Sequence, residues 1–259
     1  MKGKTVNGIC VILAAVMMVS LGMGLKINST AAETKREQPA VSQRPEVEHP
    51  EAESPDEETP VKKEIFSDAP EGYFEDALFI GDSRTVGLAE YGNIEGADFF
   101  ATTGMSVYNI YSELVNVPDL GRVDFETLLK SRQYKKVYVM LGINELGYGR
   151  DATAAKYGKL LELIKEYQPE SIIFVEANLH VSKERSDTDS VFNNRRIDEY
   201  NEKISQFADN ESVFYIDVNP VFDDGDGNLA DKYTSDHSHI LAKYYENWRE
   251  WLKTKAVLM

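Results

Sequence analysis

From about residue 73 onward, the hydrophobic positions alternate between short solid runs and helix-spaced stripes. Ala77 to Ile80 is an apolar run that stops at Gly81, and Thr85 to Tyr91 then reads as a helix. Asp98 to Thr102 forms a second strand pattern, followed by Gly104 and a weakly helical stretch from Val107 to Val115. Phe125 to Ser131 reads as helical, and Lys136 to Leu141 is the clearest buried strand, ending at Gly142. From Ala152 to Tyr167 a helix places Leu160, Leu161, Leu163 and Ile164 on its apolar side, and Pro169 stops it. Ser171 to Glu176 and Ser212 to Asp217 complete the strands, with a helix over Asn194 to Phe207 between them and a last one from about Leu241 to Thr254. Strands separated by helical segments of this length predict an α/β domain with a central parallel sheet and helices on both faces.

The pattern breaks down before residue 73. Lys2 and Lys4 precede an uncharged run from Ile9 to Leu25, and Ser29-Thr30-Ala31 resembles a small-residue cleavage site. Residues 1–32 therefore read as a secretory signal or a retained membrane anchor, and both place the remainder outside the cytoplasm. Residues 33–72 follow as an extended tether rich in proline and glutamate. Within 33–64, ten acidic and five basic residues accompany prolines at 39, 45, 50, 55 and 60. Such a stretch buries too little apolar area to offset its ordering entropy. The predicted domain begins near Ile65 or Tyr73, with 73–259 as its narrower extent.

Charge narrows the partners. With 44 acidic against 28 basic residues, the formal net charge is −16. Phosphate backbones need a basic footprint, so nucleic acid is excluded as a partner. The only cysteine, Cys10, lies in the N-terminal apolar run, so the domain has neither an internal disulfide nor a thiolate metal site.

In a parallel α/β sheet the functional residues gather beyond the carboxyl ends of the strands. The first strand is followed there by Asp82, Ser83 and Arg84, the second by Gly104, and the third by Gly142-Ile143-Asn144-Glu145. The last strand leads into a long loop ending Ser235-Asp236-His237-Ser238-His239. Ser83 at a strand-to-helix turn is either a helix cap or a nucleophile amid unpaired amides. A serine hydroxyl needs a base, and the chain has four histidines: His49, His180, His237 and His239. Asp236 stands three residues before His239, a spacing that lets a carboxylate fix the imidazole tautomer. The same pair could cap the final helix, or bind a metal with Asp223, Asp224 and Asp226. Asp224-Gly225-Asp226-Gly227-Asn228 resembles a calcium loop, but Leu229 and Ser235 stand where that loop demands glycine and glutamate, so it reads as a turn.

Gly81-Asp82-Ser83, Gly104, Gly142-x-Asn144 and Asp236-x-x-His239, in this order, resemble the four sequence blocks of the SGNH hydrolases, the GDSL esterase/lipase superfamily. The resemblance covers residues from about 77 to the C-terminus. It implies a flavodoxin-like three-layer α/β/α sandwich and a serine esterase, with no metal or organic cofactor. Carried over, Ser83 resembles the nucleophile, His239 the base and Asp236 its orienting acid. The amides of Ser83 and Gly104 and the side chain of Asn144 resemble the oxyanion hole, and Asp82 orders the turn. Arg84 replaces the usual leucine, Glu145 a common aspartate and His237 a typical glycine. His237 thus competes for the role of base, and the three-residue spacing favours His239.

Tyr148, His180 and the polar run Ser182 to Ser190 fall on loops near the expected mouth, as rim residues or as ordinary solvated loop. Leu241, Tyr245, Trp248 and Leu252 recur at helical spacing and read as a core stripe. The expected function is an extracytoplasmic esterase removing short acyl groups, acetyl above all, from small-molecule or glycan esters. Acyl transfer to a sugar, or a non-catalytic glycan-binding module, are the alternatives.

Overall fold

The computed structural model describes residues 65–258. The expected signal or anchor and most of the tether lie outside the described residues. In chain order the elements are β1 (Ala77–Gly81), α1 (Ser83–Tyr91), β2 (Asp98–Ala101), β3 (Leu114–Val117), β4 (Gly121–Asp124), α2 (Phe125–Ser131) and β5 (Lys136–Met140). They continue with α3 (Arg150–Tyr167), β6 (Ile172–Glu176), α4 (Lys183–Thr188), α5 (Asn194–Ser205), β7 (Val213–Ile216), α6 (Asn219–Phe222) and α7 (Tyr245–Lys253).

Five strands form one parallel sheet in the order β2-β1-β5-β6-β7. With the separate β3-β4 hairpin set aside, this is the doubly wound order of flavodoxin-like sheets, and the chain reverses direction between β1 and β5. The central strands are apolar throughout because both faces are covered. Leu78, Ile80, Val137, Val139, Ile173 and Val175 point into a core closed by α2, α3 and α5. Their alternate neighbours Phe79, Tyr138, Met140 and Phe174 face a second core closed by α1 and α7. Across that second face runs an aromatic row, Phe99, Phe79, Tyr138, Phe174 and Phe214, with successive ring centroids 5.0, 4.4, 4.5 and 6.1 Å apart. The Tyr245, Trp248 and Leu252 stripe of the last helix is buried there.

Two readings of the pattern need correction. The weakly helical Val107 to Val115 holds only a 3-10 turn at Ile110–Ser112, after which Leu-Val-Asn-Val alternates with period two and pairs as an antiparallel hairpin with β4. The polar run from Ser182 contains α4, because the Ser182 hydroxyl caps it by accepting the Arg185 N–H. Of the two starting points that the sequence offers, the contacts reach the Ile65 side. Ser67 exchanges backbone hydrogen bonds of 2.8 and 3.0 Å with Ala256, and the Phe66 ring lies 6.0 Å from that of Phe214.

Candidate active site

The site grows out of the end of β1. A Cβ on Gly81 would lie 1.9 Å from Thr85 Oγ1 and 2.8 Å from the Met140 carbonyl, so only glycine lets the chain turn here. Asp82 is the N-cap of α1 and accepts the Arg84 N–H at 2.9 Å. Ser83 is consequently the first helical residue rather than the cap. Its hydroxyl points instead to His239, with Oγ 2.8 Å from Nε2. On the other side of that ring, Nδ1 lies 2.7 Å from Asp236 Oδ2. The structure thus brings Ser83, His239 and Asp236 into one hydrogen-bonded line, across 156 residues between serine and histidine.

Asp236 is built to stay ionised. Partial burial works against its charge, but the His239 N–H at 2.8 Å, the His239 ring and the Ser238 N–H at 3.0 Å outweigh it and hold the carboxyl well below the usual range. His237 takes no part in this line. Its Nδ1 lies 2.9 Å from Ser182 Oγ, and its carbonyl accepts the Ser182 N–H at 3.0 Å.

Gly104 and Asn144 approach from β2 and β5, the strands flanking β1. Gly104 has φ +80°, is exposed, and a Cβ there would touch nothing within 4 Å. Asn144 donates one amide hydrogen to the Met105 carbonyl at 2.9 Å and keeps the other free. The neighbouring Glu145 is buried and accepts the Val107 N–H at 2.7 Å. These two bonds fasten the turn after β5 to the loop after β2. Burial pushes the Glu145 carboxyl up to about 7. Its clamping role escaped the reading of the sequence, where its only signal was a glutamate in place of the common aspartate.

Asp82 and Arg84 are both buried, on either side of Ser83 in sequence. Burial raises the Asp82 carboxyl against the pull of the Arg84 charge, and burial lowers the Arg84 guanidinium against the pull of Asp82. Tyr148 is exposed and lies on the same edge of the sheet. His180 does not reach an open rim: its ring is held between Asp223 at 2.8 Å and Asp198 at 2.9 Å. The calcium-like loop is a turn in which Asp224 Oδ1 accepts the N–H groups of Asp226 and Asn228 at 2.9 and 3.0 Å. Among the described residues, no group of three or more His, Cys, Asp and Glu side chains is placed to hold a metal ion.

Hydroxyl, imidazole and carboxylate in line, at the sheet edge that also carries Gly104 and Asn144, can carry out acyl transfer. Known proteins share this fold. Solved structures similar to the chain include a candidate platelet activating factor from Streptococcus pneumonia, at 19% identity and a TM-score of 0.54, covering 69% of this chain and 82% of that one. A candidate acylhydrolase from Bacteroides fragilis shares 16% identity at a TM-score of 0.53, covering 71% of this chain and 88% of that one. A GDSL-like lipase from Bacteroides thetaiotaomicron shares 17% at a TM-score of 0.53, covering 69% and 86%. At these identities the likeness is one of fold. No curated protein matches the chain. Residues 79–246 match the model of the GDSL-like Lipase/Acylhydrolase family. The chain therefore belongs to that family, within the SGNH hydrolase superfamily, and is a serine esterase of this type.

Proposed function

We propose that the protein is an extracytoplasmic esterase that removes short acyl groups, acetyl in particular, from carbohydrate or cell-envelope esters, with Ser83, His239 and Asp236 as its catalytic residues. The observation that carries this reading is the unbroken line from Ser83 Oγ through His239 to Asp236, at 2.8 and 2.7 Å. His239 Nε2 takes the Ser83 proton as Oγ attacks the ester carbonyl carbon. The resulting oxyanion receives hydrogen bonds from the Ser83 and Gly104 N–H groups and the free Asn144 amide hydrogen. Collapse expels the alcohol, which takes the proton back from His239 and leaves an acyl-Ser83. Water, deprotonated by His239, then attacks that ester and releases the acid.

The location and substrate class rest on other features. The lysines and apolar run of residues 1–32 read as export or anchoring. No helix among the described residues is long and apolar enough to cross a membrane. The loops around Ser83 carry polar and aromatic side chains rather than a long apolar lid, which favours a small or sugar-linked ester over a lipid surface.

The test is hydrolysis of p-nitrophenyl acetate by the full chain and by Ser83→Ala, with mass spectrometry of the trapped acyl-enzyme. Turnover should fall by on the order of 10^4-fold or more in the variant, together with loss of the adduct. Equal turnover in both proteins would refute the assignment of Ser83.

A further inference from the structure

A pocket of about 250 Å³, lined by none of Ser83, His239 and Asp236, is left unused by the ester chemistry. It opens between the turn after β5, the start of α3 and the start of α5. Because both helices begin at the carboxyl edge of the sheet, the pocket shares that edge with Ser83. It also shares the Ile143–Glu145 turn with the Asn144 amide, since Glu145 lines it.

An aromatic face stands at this pocket. Gly104 and Asn144 are each followed four positions later by a tyrosine, Tyr108 and Tyr148. The two rings stack with centroids 5.0 Å apart and planes at 27°. Tyr148 remains 62% exposed and Tyr108 38%, so the pair is not a buried core contact. Tyr108 is held in turn, its hydroxyl 3.0 Å from Thr153 Oγ1 and the Lys156 ammonium 5.0 Å from its ring centre. The outer ring is therefore pre-positioned, which lowers the entropic cost of stacking a ligand on it.

The lining is polar and internally neutralised. Glu199 pairs with both Arg150 and Arg195, and Arg196 donates to the Leu146 carbonyl at 2.8 Å. Arginines already engaged in this way do not form a strong anion trap, and a site so polar is a poor host for an acyl chain. It presents both donors and acceptors next to an aromatic face. That combination matches a pyranose ring, which has an apolar C–H face on one side and hydroxyls around its rim.

The geometry points to a sugar-binding subsite, formed by Tyr148 stacked on Tyr108 and by the Arg150, Arg196 and Glu199 side chains, that holds the glycan part of the ester beside Ser83. This inference deepens the proposed function and rests on it. The pocket would determine which alcohol is deacylated, while the triad determines the reaction.

The test compares O-acetylated xylotetraose and O-acetylated chitotetraose with p-nitrophenyl acetate, using the full chain, Tyr148→Ala and Tyr148→Phe. For at least one glycan, the ratio of its kcat/KM to that for p-nitrophenyl acetate should fall about tenfold in Tyr148→Ala, mainly through KM, and recover in Tyr148→Phe. An unaltered ratio for both glycans would overturn the subsite and leave the esterase standing. The converse is separable by calorimetry with the unacetylated tetrasaccharides. Binding to Ser83→Ala that disappears in the Ser83→Ala, Tyr148→Ala double variant supports the subsite even if the ester chemistry fails, and no binding of either sugar overturns it.

Discussion

The His237 imidazole lies 2.9 Å from the hydroxyl of Ser182, so that the residue between the proposed acid and base grips the cap of α4 instead of the nucleophile. Its backbone has φ +67°, in the left-handed region that favours glycine. Arg185 of α4 adds a hydrogen bond to the Ser238 hydroxyl. The short α4 helix is thereby tied to the Asp236–His239 loop from two sides.

His237→Ala and His237→Gly separate the side-chain tie from the backbone strain. Both lose the bond to Ser182, but only glycine relaxes the left-handed residue. The alanine variant should be the less stable of the two by about 1 kcal/mol in urea denaturation. Both should lower kcat/KM for p-nitrophenyl acetate, because the loop carrying His239 loses its brace.

Two buried carboxyls should make stability fall as pH rises. Burial raises Glu145 to about 7 and Glu176 to about 8. Between the ordinary glutamate range and those values, the folded protein holds protons that the unfolded chain has released. Unfolding free energy therefore decreases with pH across that window and levels off above about 8. Glu145→Gln can still accept the Val107 N–H but cannot ionise. Glu145→Gln and Glu176→Gln should each flatten the decline, as measured by urea midpoints from pH 5 to 9. An unchanged slope in both variants would contradict this account of burial.

Gly142 and Gly104 should respond differently to a methyl group although both have positive φ. At Gly142, with φ +140°, a Cβ would lie 2.0 Å from Tyr200 Cε1, in a buried ring that cannot move aside. Gly142→Ala should cost about 3 kcal/mol or more from overlap and strain together. Gly104→Ala meets open space and should cost only about 1 kcal/mol of backbone strain. Thermal melts of the two variants order these costs directly.

Asp236→Asn tests the orientation of the base. An amide facing Nδ1 can favour the tautomer with its proton on Nε2, which cannot accept the proton of Ser83. By analogy with serine proteases, kcat should fall by on the order of 10^4-fold. Steady-state kinetics with p-nitrophenyl acetate would show it, and a loss of less than about tenfold would mean that the carboxylate does not set the tautomer.

The sheet was legible in the sequence because β1, β5 and β6 are buried on both faces and so read as unbroken apolar runs. The β3-β4 hairpin was not, since Leu114 is 49% exposed and its short alternating pattern resembles an ordinary loop. At the site, Asp82, Ser83, Gly104 and Asn144 stand where strand ends put them, within reach of local reasoning. The Asp82 cap that frees Ser83 depends on which of two adjacent good capping residues wins, and composition does not decide that. The Glu145 clamp on Val107 joins residues 38 apart, and the His237 grip on Ser182 joins residues 55 apart. Such pairs are products of the completed fold, with no local pattern to announce them.

The pairing of Ser67 with Ala256 also fixes the edge of the sheet at which the described chain enters the domain. Ala256 follows the end of α7, at the amino edge of the sheet, where Lys136 at the start of β5 lies over the Tyr73 ring. The Ser83 hydroxyl stands at the opposite edge, with a five-residue strand, about 16 Å, between the two. The entry of the described chain at Ile65–Ser67 and the Ser83–His239 pair therefore lie at opposite edges of the sheet.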